Sequence, residues 1–141
     1  MSTKTVTLLV VEDDEVDVMG IQRTLESLKL TNPLVIADDG VDALDMLRGK
    51  NGRDKLEPPY VILLDLNMPR MNGIEFLDAI RSDPELKQAI IFILTTSESD
   101  ADIMQAFKYD VAGYIVKSDM RSSFLEAANQ LNFSWTMVES Q

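Results

Sequence analysis

Four places in this chain carry residue types suited to chemistry: Glu12-Asp13-Asp14, Asp65, Thr95-Thr96 and Lys117. Each stands directly after a short apolar run. The clearest case is Tyr60-Val61-Ile62-Leu63-Leu64-Asp65, where an uninterrupted apolar stretch meets one carboxylate and Pro69 and Gly73 mark the loop beyond. A run of this length reads as a fully buried strand, central in a parallel sheet. In open α/β sheets, ligands and chemistry gather at the carboxyl ends of the strands. Asp65 in that position reads as a nucleophile that accepts a phosphoryl group or, taken alone, equally as a polar strand-end residue opening a turn.

The elements that would position these groups follow from hydrophobic periodicity. Strand-like runs cover Val6 to Val11, Leu34 to Ala37, Tyr60 to Leu64, Ile90 to Leu94 and Gly113 to Val116. Between them lie apolar stripes at helical spacing: Val18, Ile21, Leu25 and Leu28; Ala43, Leu44 and Leu47 behind the N-cap candidate Asp39; and Ile74, Leu77 and Ile80 after Gly73. Two more follow, Ile103, Ala106 and Phe107 behind Ser99 and Asp100, and Phe124, Ala128 and Leu131. Five βα units predict an α/β fold: a five-stranded parallel sheet, doubly wound with helices on both faces and joined by right-handed crossovers. Residues 1–130 form that domain and residues 131–141 a C-terminal helical extension. The polar stretch Gly49 to Pro59 reads as one longer surface loop.

If the strands are parallel, all four chemical groups share one rim. Acidic side chains this close repel one another unless a cation neutralises them. A hard-oxygen ligand set suits Mg²⁺, which binds through one or two carboxylates plus phosphate and keeps several waters. The cation would offset charge as a carboxylate attacks a phosphoryl group, Lys117 would pair first with the carboxylate and then with a phosphoryl oxygen, and Thr95 would donate to another. Taken singly, the acids after strand one equally fit a helix N-terminus favoured by the helix dipole. Lys117 alone fits a surface residue and Thr95 alone a turn. Their joint occurrence at four strand ends is what favours chemistry.

Composition narrows the field. The 141 residues contain no His and no Cys, which excludes a Ser-His-Asp triad, thiol catalysis, disulfides and imidazole or thiolate metal sites. The formal net charge of −11 makes nucleic acid an unfavourable partner and suits a hard cation or a basic protein surface. No apolar run is long enough for a bilayer and no signal-peptide pattern opens the chain, so a cytoplasmic protein with no membrane partner is expected.

The chain resembles the receiver domain of two-component response regulators. The motifs that carry the resemblance are Leu9-Val10-Val11-Glu12-Asp13-Asp14, Leu64-Asp65-Leu66-Asn67-Met68-Pro69 with Asn72-Gly73, Leu94-Thr95-Thr96-Ser97, and Gly113-Tyr114-Ile115-Val116-Lys117. They fall in order, one at each expected strand end, and span nearly the whole chain. The resemblance implies that Asp65 takes a phosphoryl group from a sensor histidine kinase. It implies that Asp13, Asp65 and the backbone carbonyl of Asn67 hold Mg²⁺, with Glu12 acting through water. It makes Thr95 and Tyr114 a switch pair, and it implies a switch with slow autodephosphorylation rather than a turnover enzyme. Two departures stand out. Ser118 follows Lys117 where the family usually has Pro, often behind a cis bond, and the loop before strand three is longer than usual. With the aromatic C-terminal tail, these features resemble the single-domain regulators paired with bacterial phytochromes.

Phe124, Ala128, Leu131, Trp135 and Val138 are spaced four, three, four and three apart, an a/d stripe that runs past what one sheet needs covered. The expectation is a symmetric homodimer built on this seam; the plainer reading is a last helix folded onto its own domain. Three other functions share features of the pattern. A flavodoxin-like carrier of flavin mononucleotide has the same architecture, but the acids after strand one would repel its phosphate. A haloacid-dehalogenase-like hydrolase wants an Asp where Asn67 stands. A pseudo-receiver that only binds partners would not need Asp65, Thr95 and Lys117 together.

Overall fold

The computed structural model describes residues 6–66, 71–96 and 101–130. Five parallel strands, β1 (Thr7–Val11), β2 (Leu34–Ala37), β3 (Tyr60–Asp65), β4 (Ile90–Thr95) and β5 (Gly113–Val116), form one sheet in the order β2-β1-β3-β4-β5. The helices α1 (Glu15–Ser27), α2 (Gly40–Arg48), α3 (Gly73–Ser82), α4 (Ala101–Ala106) and α5 (Met120–Gln130) alternate with them. One-turn 3₁₀ segments at Phe107–Tyr109 and Lys117–Asp119 lie on either side of β5. The five βα units and their parallel sheet are those expected from the sequence. Strands three and four each run one residue further, so Asp65 and Thr95 are themselves strand residues.

Each central strand is buried on both faces, which is why its sequence is continuously apolar. Alternation along the strands divides the core in two. Leu9, Val11, Ile62, Leu64, Ile91 and Ile93 pack with residues of α2, α3 and α4, including Leu47, Phe76 and Ala106. Leu8, Val10, Val61, Leu63, Phe92 and Leu94 face the other way and pack with Ile21 and Leu25 of α1 and Phe124 of α5.

Local chemistry starts the helices where the sequence suggests. Asp39 caps α2 by accepting the Asp42 N–H at 2.9 Å. Asn72 and Glu75 form a reciprocal capping box at α3. Gly73 is demanded by close approach rather than by φ: a Cβ there would meet the Leu66 Cα at 2.5 Å, and its N–H donates to the Leu66 carbonyl at 2.9 Å. The two ends of the loop after β3 are thus clipped together.

Two expectations need correction. Phe107 does not join the apolar stripe of α4; it is 44% exposed because the helix gives way to a 3₁₀ turn at that residue and rotates it outward. Phe124 is only 3% exposed and lies in the chain's own core, so its side chain is not available to a partner subunit; Ala128 is half-buried against the same cluster. Leu131, Trp135 and Val138 lie outside the described residues, as do Ser99 and Asp100. The Lys117–Ser118 bond is trans: among the described residues the one cis peptide joins Pro58 to Pro59. That bond ends the long loop from Gly49, which leaves α2 through a left-handed Gly49 (φ 67°), is held by the Leu56 N–H on the Met46 carbonyl at 2.9 Å, and is tied to β1 by the Thr7 N–H on the Pro59 carbonyl at 3.1 Å.

Candidate functional site

β3 lies between β1 and β4, with β5 beyond β4, so the carboxyl ends of four strands share one edge. Register makes the alignment tight: Val11 is level with Leu64, Asp65 with Leu94, and Thr95 with Val116. A cavity of about 290 Å³ opens there, lined by Glu12, Asp13, Asp17, Asp65, Thr95 and Lys117 among others.

The acidic run after β1 divides into two jobs. Asp14 and Glu15 are exposed; Asp14 caps α1, accepting the Val16 N–H at 2.8 Å, and Glu15 sits in the first turn where the helix dipole favours it. Glu12 is 1% exposed and turns inward, its Oε1 accepting the Asp14 N–H at 3.2 Å. One carboxylate oxygen from each of Glu12, Asp13 and Asp65 lies within 4.8 Å of the other two. Asp65 and Thr95 are buried at the strand ends, at 8% and 7% exposure.

Lys117 reaches into this group from the 3₁₀ turn after β5. Its Nζ lies 2.7 Å from Asp17 Oδ2, 3.0 Å from Glu12 Oε2 and 3.7 Å from Asp65 Oδ2. The Asp17 contact is a directed hydrogen bond. The Glu12 contact is an ion pair. Burial lowers the pKa of the Lys117 ammonium, but Asp17, Glu12 and Asp65 outweigh it and raise the pKa above the ordinary lysine value. Burial, and then the neighbouring Asp65, push Glu12 up to about 7 although Lys117 pulls the other way.

These electrostatics are those of a site whose negative charge exceeds what its ammonium offsets. One ammonium serves several carboxylates, and a buried glutamate answers by holding a proton near neutrality. A divalent cation removes that conflict, and the donors are the hard oxygens it prefers. Glu12, Asp13 and Asp65 therefore fit a metal ion, and the structure brings them together with Lys117 and Thr95 as the sequence leads one to expect. Asn67 lies outside the described residues. Tyr114 is in β5, level with Ile93; the residue is 37% exposed, and its ring is edge-on to Phe107, with centroids 6.4 Å apart at 84°. Asp17 is the pocket residue that sequence reasoning overlooked. Its signal was present: it stands three residues after the cap Asp14, in the first turn of α1 beside the acidic run.

Comparison with known proteins agrees with this geometry. The model of the response regulator receiver domain matches residues 8–129. The response regulator Rcp1 of Synechocystis is 30% identical over 128 residues, covering 91% of this chain and 87% of its own. A structure of the Mn²⁺-bound form of Rcp1 superposes with a TM-score of 0.76 at 28% identity, over 94% of this chain and 99% of that one. The bacteriophytochrome response regulator RtBRR superposes at 0.83 with 32% identity, over 97% and 84% of the two chains. The phosphorylated cyanobacterial phytochrome response regulator RcpA superposes at 0.78 with 29% identity, over 94% and 99%. Receiver domains are phosphoacceptors for histidine kinases and bind a divalent metal. The sheet order, the acid-lined strand ends and these matches lead to one conclusion: the chain belongs to the response regulator receiver domain family.

Proposed function

We propose that Asp65 is the phosphoacceptor and that the chain works as a phosphorylation switch rather than a turnover enzyme. The observation that carries this reading is the convergence of Glu12, Asp13, Asp65, Thr95 and Lys117 on one cavity from four strand ends. An Asp65 oxygen forms the new bond to phosphorus as the phosphorus–nitrogen bond to the kinase histidine breaks, and the electron pair leaves with the imidazole. Asp13 and Asp65, the Asn67 carbonyl, and Glu12 through water would hold Mg²⁺. When bound, that ion supplies charge neutralisation between the two anionic reactants. Lys117 holds a developing phosphoryl oxygen by charge and Thr95 donates its hydroxyl to another, so most of the rate comes from preorganised electrostatics. Tyr114, now turned outward against Phe107, is the aromatic partner of Thr95 in the switch, and water slowly returns the acyl phosphate to carboxylate.

The kinase partner we favour is a bacteriophytochrome, since RtBRR and RcpA are phytochrome response regulators and superpose over nearly the whole chain. A cytoplasmic location goes with that partner; no helix among the described residues is long and apolar enough to cross a membrane. Receiver domain 1–130 would be followed by an extension, 131–141, that pairs two copies through Leu131, Trp135 and Val138. The deciding test is labelling with acetyl phosphate and Mg²⁺. The expected result is acid-labile phosphate on the natural chain and none on Asp65→Asn; equal labelling of the two would refute the assignment.

A further inference from the structure

Asp17 has no part in the roles assigned above, yet it makes the shortest contact that Lys117 has. Its Oδ2 lies 2.7 Å from Lys117 Nζ, nearer than Glu12 at 3.0 Å or Asp65 at 3.7 Å. Secondary structure accounts for the meeting. Asp14 caps α1 and Asp17 falls in its first turn, while Lys117 opens the 3₁₀ turn at the carboxyl end of β5. α1 and α5 pack on the same face of the sheet, so the start of one comes beside the approach to the other. An ammonium has three N–H donors and settles where its acceptors are. Here the hydrogen bond goes to the helix side of the pocket, and Asp65 is left beyond hydrogen-bonding range of Nζ. Among the described residues, Asp17 is also the one carboxylate on Lys117 that does not belong to the metal-ligating group of Glu12, Asp13 and Asp65.

We propose that Asp17 is a positioning residue: it holds the Lys117 ammonium to the side of the pocket, so that a divalent cation reaches Asp65 without first displacing a resident positive charge. This rests on the reading of Glu12, Asp13 and Asp65 as a cation site. Without the Asp17 carboxylate, the anions nearest Nζ are Glu12 and Asp65. The ammonium then settles between them, and the cation must compete with it for both ligands. Loss of Asp17 also removes negative charge from the pocket, which weakens cation binding through the field alone, whatever Lys117 does. The two effects part company in Lys117→Met, where the field contribution persists and the positioning contribution has nothing to act on.

The experiment is Mg²⁺ titration of the full chain by calorimetry in four forms: natural, Asp17→Asn, Lys117→Met and the double variant. Asp17→Asn is expected to weaken Mg²⁺ about three- to fivefold when Lys117 is present, the upper range of a partly exposed ion pair. In the Lys117→Met background the same change should cost less than about twofold. Asp17→Glu, which keeps the charge, should recover most of the affinity. Unchanged affinity in Asp17→Asn, or an equal loss in both backgrounds, overturns the proposal. The underlying reading fails separately: a natural chain that binds no Mg²⁺ and takes no phosphate from acetyl phosphate removes the cation site itself. A natural chain that does both, beside an indifferent Asp17→Asn, removes only the role given to Asp17.

Discussion

Glu12→Gln should stabilise the protein at pH 8 and leave it nearly unchanged at pH 4. Glu12 is 1% exposed, and burial together with Asp65 raises its pKa from 4.5 to about 7. The folded state therefore holds this proton more tightly than the unfolded chain does. The sign follows from linkage. The contribution of Glu12 to stability is full below pH 4.5, where both states are protonated, and is lost as pH rises through 7. Each pH unit across that window is worth about 1.4 kcal/mol, so the whole interval amounts to about 3 kcal/mol. The glutamine variant is neutral throughout and isosteric with the protonated glutamate, so subtracting its stability from that of the natural chain removes the titration of the acids that do not interact with Glu12. Urea unfolding at pH 4, 5, 6, 7 and 8 with chelator present measures the difference. It should be flat to about pH 4.5 and then fall by about 1–3 kcal/mol. Saturating Mg²⁺ should abolish most of the fall, because the cation takes the place of the proton. A natural chain that gains stability relative to Glu12→Gln between pH 5 and 8 would refute the idea that this carboxylate is held against its own charge.

Three further outcomes are expected. Gly73→Ala forces a Cβ against the Leu66 backbone at 2.5 Å and should cost about 1–3 kcal/mol in urea unfolding, with weakened Mg²⁺ binding because Asp65 adjoins the displaced residue. Phe124→Ala should cost about 3–5 kcal/mol. That loss should not vary with protein concentration, since the ring fills the chain's own core. Sedimentation of a chain ending at Gln130 should give the mass of one subunit while the full chain gives that of two; equal particle masses would remove the seam proposed for Leu131, Trp135 and Val138.

The strands could be read from the sequence because a parallel sheet covered on both faces leaves almost no polar residue inside them. Tyr60 to Leu64 and Ile90 to Leu94 are such runs, and the one polar residue that ends each, Asp65 or Thr95, marks the functional edge. Adjacent residues with different fates were harder. Glu12 and Asp14 are both acidic and two positions apart, yet one is buried against Lys117 and the other is an exposed cap; both follow the end of β1 at Val11, Glu12 at once and Asp14 as the residue that opens α1. The helical spacing that includes Phe124 is the same whether that face meets another subunit or its own sheet, so periodicity could not decide between them. Asp17 and Lys117 stand 100 residues apart, and their pairing exists only once α1 and the end of β5 have been brought together.

The loop from Gly49 to Pro59 enters β3 at the edge opposite the acids, and the Thr7 N–H holds its last residue in register. The six residues of β3 then separate that loop from the Asp65 carboxylate by about 20 Å of rigid strand. Elaboration and chemistry are mechanically insulated from each other. The loop is a place where length can be added, or a tag or reporter grafted, while the acceptor carboxylate stays where it was.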